Sequence, residues 1–264
     1  MSSTENLSAA RKICRILANL SDPKVSRLTD IADRTGLDAS TCLRLLRDLE
    51  IEGFVERDPQ SKAFELGSQV YAMHHAMVAG MDLRALARPS LIRLARRFGD
   101  TAILSGPAGW ESVCLDICLG DYPITANYLA AGSRRPLGVG AGSLALMIGL
   151  PDPVIQAVMP MVRQAMERRY PAYPPHYLDQ SLARARERGY TLLVDVVIEK
   201  MGGIGVPFHS PGGQPIGALS IAALTERITG REEELARALK AEAALMEQAW
   251  MPEGHGAAAQ KVAV

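Results

Sequence analysis

Residues 27 to 67 leave this chain little freedom in how it folds. They open on Leu28-Thr29-Asp30-Ile31-Ala32-Asp33-Arg34-Thr35, a short helical pattern stopped by Gly36, the residue type that most easily supplies a left-handed helix end. Thr29 is expected to cap the first turn, and Asp30 suits its positive end. After a tight turn, Asp38-Ala39-Ser40-Thr41 begins a second helix that runs to about Ile51. Its apolar residues Cys42, Leu45, Leu46 and Leu49 follow the i, i+3, i+4, i+7 rule and form a buried stripe. Ser40, Arg44 and Arg47 share another face, with Thr41 beside them. Short hydroxyls early and arginines one and two turns later suit a helix that enters the major groove. Residues 53–57, 58–62 and 63–67 then read as strand, turn and strand, the ribbon of a wing. The whole stretch is a winged helix-turn-helix pattern.

The bland alternative is a helical hairpin with a solvated arginine face. The glycine turn, the Ser-Thr start, the arginine face and the following ribbon stand in register, and together they favour DNA. Charge argues the other way, since residues 1–67 hold 10 Lys and Arg against 11 Asp and Glu. Attraction to phosphates must therefore come from the placement of Arg27, Arg34, Arg44, Arg47 and Lys62. A module with no basic excess is expected to bind weakly alone and to work as a multimer.

The residues Leu37-Asp38-Ala39-Ser40-Thr41-Cys42-Leu43-Arg44-Leu45-Leu46, followed by Gly53-Phe54-Val55, resemble the IclR family of bacterial transcriptional regulators. The resemblance implies an α+β two-domain chain: an N-terminal winged helix-turn-helix, a linker helix and a C-terminal GAF-like antiparallel sheet flanked by helices that binds a small effector. It places Ser40, Thr41 and Arg44 on DNA-contacting positions. Asp38 departs from the family pattern, which often has a basic or uncharged residue there; a carboxylate at this point either caps the helix or discourages a phosphate contact.

At 264 residues, with 48% hydrophobic and 22% charged residues, the chain is long enough for two cores. The formal net charge of zero excludes a polybasic nucleic-acid coat protein. The start lacks the pattern of a signal peptide, and no apolar run reaches the roughly 20 residues that span a bilayer. The expected location is the cytoplasm, away from membranes. Of the four cysteines, Cys14 and Cys42 are expected to be buried on their helices. Cys114 and Cys118 lie in a strand-like run, where an even spacing puts both on one face. Core packing is favoured there over a metal or redox pair, because no His or third Cys is near.

A first helix, residues 8–20, turns Ala10, Ile13, Cys14, Leu17 and Leu20 inward and completes the three-helix support; Ser21-Asp22-Pro23 ends it. Residues 68–98 form the linker, helical but interrupted near Gly80 and before Pro89. Its arginines 84, 88, 93, 96 and 97 face only Asp82, so they either lie along DNA phosphates or pair with acids of the second domain. Met73, Met77 and Met81 recur at helical spacing, a packed or self-associating face. Residues 99–252 form the second domain. Strands are expected at 101–104, 112–117, 124–128, 190–197, 203–207 and 215–222, and helices from 143, at 152–169, at 175–188 and at 229–250. Residues 253–264 make a frayed tail. The family resemblance continues here, carried by Gly132 through Pro136-Leu137, Gly189-Tyr190, Val206-Pro207 and Ala218-Leu219-Ser220 followed by Arg227.

Gly138-Val139-Gly140-Ala141-Gly142-Ser143 invites a nucleotide reading, but no alternating strand–helix run surrounds it and the Gly-Lys-Ser of a P-loop is missing. Backbone N–H groups near Gly142 and Ser143 can still hold a carboxylate with no basic side chain, and a plain tight loop is equally consistent with the residues. The resemblance favours the anion site. It implies an effector pocket at Ala141, Gly142, Leu193, Gly203, Ser220 and Ala222. Of the last four, several family members carry polar or sulfur-bearing side chains, and this chain keeps only Ser220. The pocket is therefore expected to be roomy and apolar, suited to an aromatic or medium-length aliphatic acid. Ser143-Leu144 replaces the Gly-Lys of many members, and Lys200 stands where glycine is usual.

No enzyme motif is present: no Gly-x-Ser-x-Gly elbow, no His-Glu-x-x-His, and no histidine with an obvious carboxylate partner among His74, His75, His176, His209 and His255. No catalytic residue, metal site or cofactor is expected. The expected partners are double-stranded operator DNA, a carboxylate effector, and further copies of the chain as a homodimer or dimer of dimers. The DNA contacts are assigned to Ser40, Thr41, Arg44, Arg47, Arg34 and Lys62. The competing reading is a small-molecule sensor or enzyme whose N-terminal module has lost DNA binding.

Overall fold

The computed structural model describes residues 7–22, 25–78, 82–126 and 128–250. The chain divides into two compact units between Asp82 and Leu83, so residues 68–98 are shared between two units.

The first unit begins with α1 (Ala9–Leu20), capped by Ser8, whose Oγ accepts from the Arg11 N–H at 3.4 Å. Its inner face is Ile13, Ile16, Leu17 and Leu20, whereas Ala10 and Cys14, both expected inside, are exposed. Ile16 takes the centre of the core, and two residues along a helix is a rotation of about 200°, which carries Cys14 to the opposite side. Helix α2 (Leu28–Thr35) starts one residue before the expected cap. Arg27 holds the cap position without a side-chain bond, and the Thr29 hydroxyl instead donates to Asp30 Oδ1 at 3.4 Å. Gly36 is left-handed, at φ 70°. Helix α3 (Ala39–Ile51) is capped by Asp38 and buries Cys42, Leu45, Leu46 and Leu49. Strands β1 (Val55–Arg57) and β2 (Phe64–Leu66) pair antiparallel, and Val55 and Phe64 close the small core. Helix α4 (Ser68–Val78) completes the described part of this unit, with Met73 exposed. The expected break at Gly80, Met81 of the methionine series, Pro23 and the tail lie outside the described residues.

The second unit opens with α5 (Leu83–Phe98), which runs straight through Pro89. The interruption expected there does not occur, because burial of Ala87, Leu91 and Leu94 holds the helix across the missing N–H. Three of its arginines pair with acids of this unit: Arg88 with Asp116 at 3.1 Å, Arg93 with Glu242 at 2.6 Å, and Arg97 with Glu234 at 2.9 Å. Of the two readings of this basic helix, acid pairing is the one realised for these three.

Six antiparallel strands, β3 (Thr101–Ala108), β4 (Glu111–Cys118), β5 (Arg134–Pro136), β6 (Thr191–Val194), β7 (Met201–His209) and β8 (Pro215–Leu224), form a sheet ordered β5-β4-β3-β8-β7-β6. Between and after them come α6 (Ala141–Ile148), α7 (Asp152–Arg169), α8 (Pro175–Arg188), α9 (Thr225–Thr229) and α10 (Glu232–Ala249). Strand alternation sends Leu104, Ile204, Val206, Leu219 and Ile221 to one face, against Leu91 and Leu94 of α5 and Leu235 and Leu239 of α10. The opposite face carries Gly203, Gly205, Ser220 and Ala222 toward α6. The strand expected at 124–128 is absent among its described residues. Residues 134–136 take the free edge of β4 instead, with Ser112 opposite Arg135 and Val113 opposite Arg134. The last long helix begins at Glu232, after α9 and Gly230.

Cys114 and Cys118 do not share a face. The β3–β4 register steps from Leu104↔Asp116 to Ser105↔Cys114, which leaves Leu115 as an extra residue on β4. That bulge reverses the alternation. Cys114 packs with Ile103, Ala126 and Ala222, while Cys118 packs toward the core of α5 and α10.

Candidate functional site

The solvent face of α3 carries Ser40, Arg44 and Arg47, all exposed, with Thr41 half-buried at its edge. Asp38 organises the start of the helix: its Oδ1 accepts from the Thr41 N–H at 2.8 Å and from the Ser40 hydroxyl at 2.5 Å. These bonds, the Ser40 hydroxyl first, hold the Asp38 carboxyl far below the usual carboxylate range. Asp38 is thus a cap, and the Ser40 proton is already committed to it. Arg44 lies 3.7 Å from Asp48 one turn on, and both side chains are more than half exposed. Such an i, i+4 pair is worth only about 0.3–0.5 kcal/mol and yields easily to a stronger partner. Lys62 sits at the tip of the wing at φ 61°, its Nζ donating to Pro59 O at 2.7 Å. Asp58 builds that tip by accepting from the Gln60 N–H at 2.9 Å and from the Ser61 hydroxyl at 2.7 Å. Arg34 is bound to Asp22, which ties α2 to the end of α1.

In the second unit a cavity with an open mouth lies between the sheet and the start of α6. Ala141, Gly142, Ser143, Leu193, Gly203, Ser220 and Ala222 all stand in its wall. Glycines on β7 let the helix come this close. A Cβ on Gly205 would lie 2.8 Å from the Ala141 carbonyl oxygen, and one on Gly203 would lie 3.0 Å from the Ala141 Cβ. The Thr191 hydroxyl donates to that same Ala141 carbonyl at 2.9 Å and fixes the contact. Gly140, at φ 95°, turns the chain into α6. The Ser143 hydroxyl donates to Pro136 O at 2.9 Å and so secures the helix to β5, leaving the backbone amides of the first turn as that turn's donors.

Three residues the sequence reading did not select complete the polar wall. Ser105, Ser112 and Arg135 line the same cavity. Ser105, Ser112 and Ser220 are at least nine-tenths buried, and among the described residues none of their hydroxyls has a hydrogen-bond partner. Two of them converge: a Cβ on Gly142 would meet Ser105 Oγ at 2.7 Å and Ser220 Oγ at 3.0 Å. The Arg135 guanidinium stands 5.2 Å from the centre of the Tyr128 ring. Arg135 thus adds a basic side chain to a wall where the sequence reading counted only backbone donors. Consecutive arginines before Pro136 were a readable signal, since on a strand they must point to opposite faces. Arg134 goes to the buried Glu111, which Arg169 also binds, at 3.0 and 2.7 Å respectively. Arg135 goes to the cavity. Burial pushes the Cys114 thiol up to about 12, with the charge of Arg135 pulling the other way, so this wall residue is an unreactive thiol.

A second, shallower cleft holds His209, whose Nδ1 lies 3.0 Å from Glu247 Oε1. This histidine has the carboxylate partner that sequence spacing could not show, since 38 residues separate the pair. No group of three or more His, Cys, Asp or Glu side chains suited to a metal occurs among the described residues, and no described helix is long and apolar enough to cross a membrane.

Comparison with known proteins agrees with this geometry over both units. Residues 10–59 match the IclR helix-turn-helix domain, and residues 75–247 match the family described as bacterial transcriptional regulator IclR C-terminal. The chain is 28% identical to the HTH-type transcriptional regulator XynR of Escherichia coli over 206 residues, covering 78% of this chain and 81% of XynR. It is 29% identical to the glycerol operon regulatory protein of Streptomyces coelicolor over 232 residues, covering 88% and 89%. Among solved structures, an IclR-type regulator from Silicibacter superposes with a TM-score of 0.77 at 22% identity, over 93% of this chain and 97% of that one. An IclR homologue from Microbacterium hydrocarbonoxydans, complexed with 4-hydroxybenzoate, superposes with a TM-score of 0.66 at 22% identity, over 92% and 99%. With a DNA-reading module, a separate cavity-bearing unit and regulators rather than enzymes as its relatives, this chain belongs to the IclR family of bacterial transcriptional regulators.

Proposed function

We propose that this regulator binds its operator through Ser40, Thr41, Arg44 and Arg47 of α3, with Lys62 on the wing, and that an organic acid in the cavity of the second unit sets the strength of that binding. Residues 1–67 read DNA, residues 68–98 link, and residues 99–252 hold the effector; the work is done in the cytoplasm. Arg34, held by Asp22, serves as a backbone contact rather than a base reader.

The observation that carries the effector reading is the set of unpartnered hydroxyls that Ser105, Ser112 and Ser220 turn into the cavity around the first turn of α6. Hydroxyls that face a cavity can donate to and accept from an oxygen-rich ligand in place of water, which favours such a ligand over a wholly apolar one. The amides of the first turn and the helix dipole favour a negative group there. Leu193, Val197, Met201 and Ala222 offer only apolar contact, so the rest of the ligand is an aromatic or medium-length aliphatic body. The 4-hydroxybenzoate held by the Microbacterium homologue is a ligand of this class.

Gel-shift on the regulator's own upstream DNA, with and without such acids, tests the reading: the complex should be sequence-specific and salt-sensitive, and the acid should change its affinity. Gly142→Val is expected to abolish the acid's effect, since the new side chain enters the space bounded by Ser105 and Ser220. Unaltered acid binding by a folded Gly142→Val protein would place the effector elsewhere.

The working unit is a dimer or a dimer of dimers. A module with 10 basic and 11 acidic residues makes too few net phosphate contacts alone, and two half-sites double them. Sedimentation at micromolar concentration should show at least a dimer. A monomer with full operator affinity would refute this.

A further inference from the structure

We propose that Arg135 selects the effector by charge: its guanidinium, steadied by the Tyr128 ring beside the first turn of α6, is the counter-ion of the ligand's carboxylate. This rests on the reading of the cavity as an effector site, and adds to it a requirement for an ionised acid.

Arg135 stands in an electrostatic conflict. A Cβ placed on Gly140, the residue that opens α6, would lie 3.1 Å from Arg135 Nη1, so the guanidinium reaches the start of that helix. A helix N-terminus carries about half a positive charge, which opposes a cation placed against it. The nearby carboxylates are engaged elsewhere: Glu111 holds Arg134 and Arg169, and Asp116 holds Arg88. Among the described residues no carboxylate forms an ion pair with Arg135; what it has is the face of Tyr128 at 5.2 Å. A cation, a helix N-terminus and three cavity-facing serine hydroxyls thus surround one space, and among the described residues no carboxylate of the protein is paired with that cation.

Pairing across the sheet orients the group. Ser112 stands directly opposite Arg135 in the β4–β5 ladder, so both side chains project from the same face. A carboxylate between Arg135 and the α6 amides accepts charge-assisted bonds from one side and backbone donors from the other. Ser112, Ser105 and Ser220 then meet its remaining lone pairs or a further oxygen on the ligand.

The test uses the full chain and the variants Arg135→Leu and Arg135→Lys, melted alone and with benzoate, 4-hydroxybenzoate, phenylacetate and hexanoate, each against its neutral amide. Without ligand, Arg135→Leu should melt at or above the wild type, because a repulsion has been removed. Its affinity for any acid that stabilises the wild type should fall roughly ten- to hundredfold, while Arg135→Lys should recover part of the loss. The amides should stabilise no variant as the acids stabilise the wild type. A lower melting temperature of ligand-free Arg135→Leu would make the guanidinium a structural group and overturn the proposal. Equal stabilisation of wild type and Arg135→Leu by an acid would overturn it while leaving the effector cavity in place. If none of the acids stabilises the wild type, the effector reading itself falls and takes this assignment with it.

Discussion

Asp100→Asn should cost the second unit about 3 kcal/mol, with a fall in melting temperature of roughly 6–12 °C for a unit of this size. Asp100 follows α5 at the turn into β3, and its side chain is 1% exposed. Its two oxygens take separate arginines from the far end of the unit: Oδ1 accepts from Arg227 Nε at 2.8 Å, and Oδ2 from Arg231 Nη2 at 2.5 Å. The same arginines donate to the Phe98 carbonyl at 2.9 and 3.2 Å, and Arg227 stacks 3.7 Å from the centre of the Tyr122 ring. Removing one partner of a buried pair typically costs 3–5 kcal/mol. The lower end applies here, because both arginines are about a quarter exposed and keep the Phe98 carbonyl. An amide at position 100 also turns a donor toward a guanidinium. Glu234→Gln is the control: it breaks the exposed pair with Arg97, and should cost less than about 1 kcal/mol. Comparable losses for the two variants, in chemical or thermal unfolding, would show that the Asp100 cluster is not a fastening point.

Arg227 illustrates what the sequence made readable and what it did not. It stood out as a mark of the family, at a fixed distance after Ala218-Leu219-Ser220, but its partner lies 127 residues away and no local pattern points to it. The N-terminal module was readable because its information is local. A glycine at φ 70°, a capping carboxylate and a helical stripe act within one or two turns. Even there the phase of α1 went astray, since the apolar pattern admits two inner faces and only packing against α2 and α3 chooses Ile16 over Cys14.

In the second unit the elements that misled are those decided by neighbours. A bulge at Leu115 belongs to the pairing of β3 with β4, so an even spacing of cysteines carried no warning of it. The strand expected at 124–128 had suitable residues, but the edge of β4 pairs with 134–136. Pro89 reads as a helix stop, and core burial on α5 overrides it. The seven residues assigned to the effector line the same cavity, yet six of them were assigned from family resemblance and only Ser143 from the glycine loop before the helix. Ser105, Ser112 and Arg135 were passed over because each sits in a strand, and only the register decides which face it joins.

The recognition face offers the other large effect. Arg44→Ala should weaken specific operator binding by about 1–3 kcal/mol, roughly 5- to 150-fold, with melting temperature unchanged. Along α3 the hydroxyl of Ser40 is bound to Asp38, which leaves it weaker as a base-reading donor. Thr41 is half-buried. Arg44 is 67% exposed in its side chain and one turn into the helix, where a guanidinium reaches a guanine edge with two bonds. Its contact with Asp48 at 3.7 Å is too exposed to hold it back, and losing that contact costs the free protein only a few tenths of a kcal/mol. Base reading and phosphate attraction separate in the data. If Arg44 reads a base, Arg44→Ala should lose discrimination at one operator position, whereas Lys62→Ala on the wing should weaken all sequences alike and lower the salt slope by about one. Uniform weakening by Arg44→Ala would make it a phosphate contact, and unchanged operator affinity in a folded variant would remove α3 from the DNA interface.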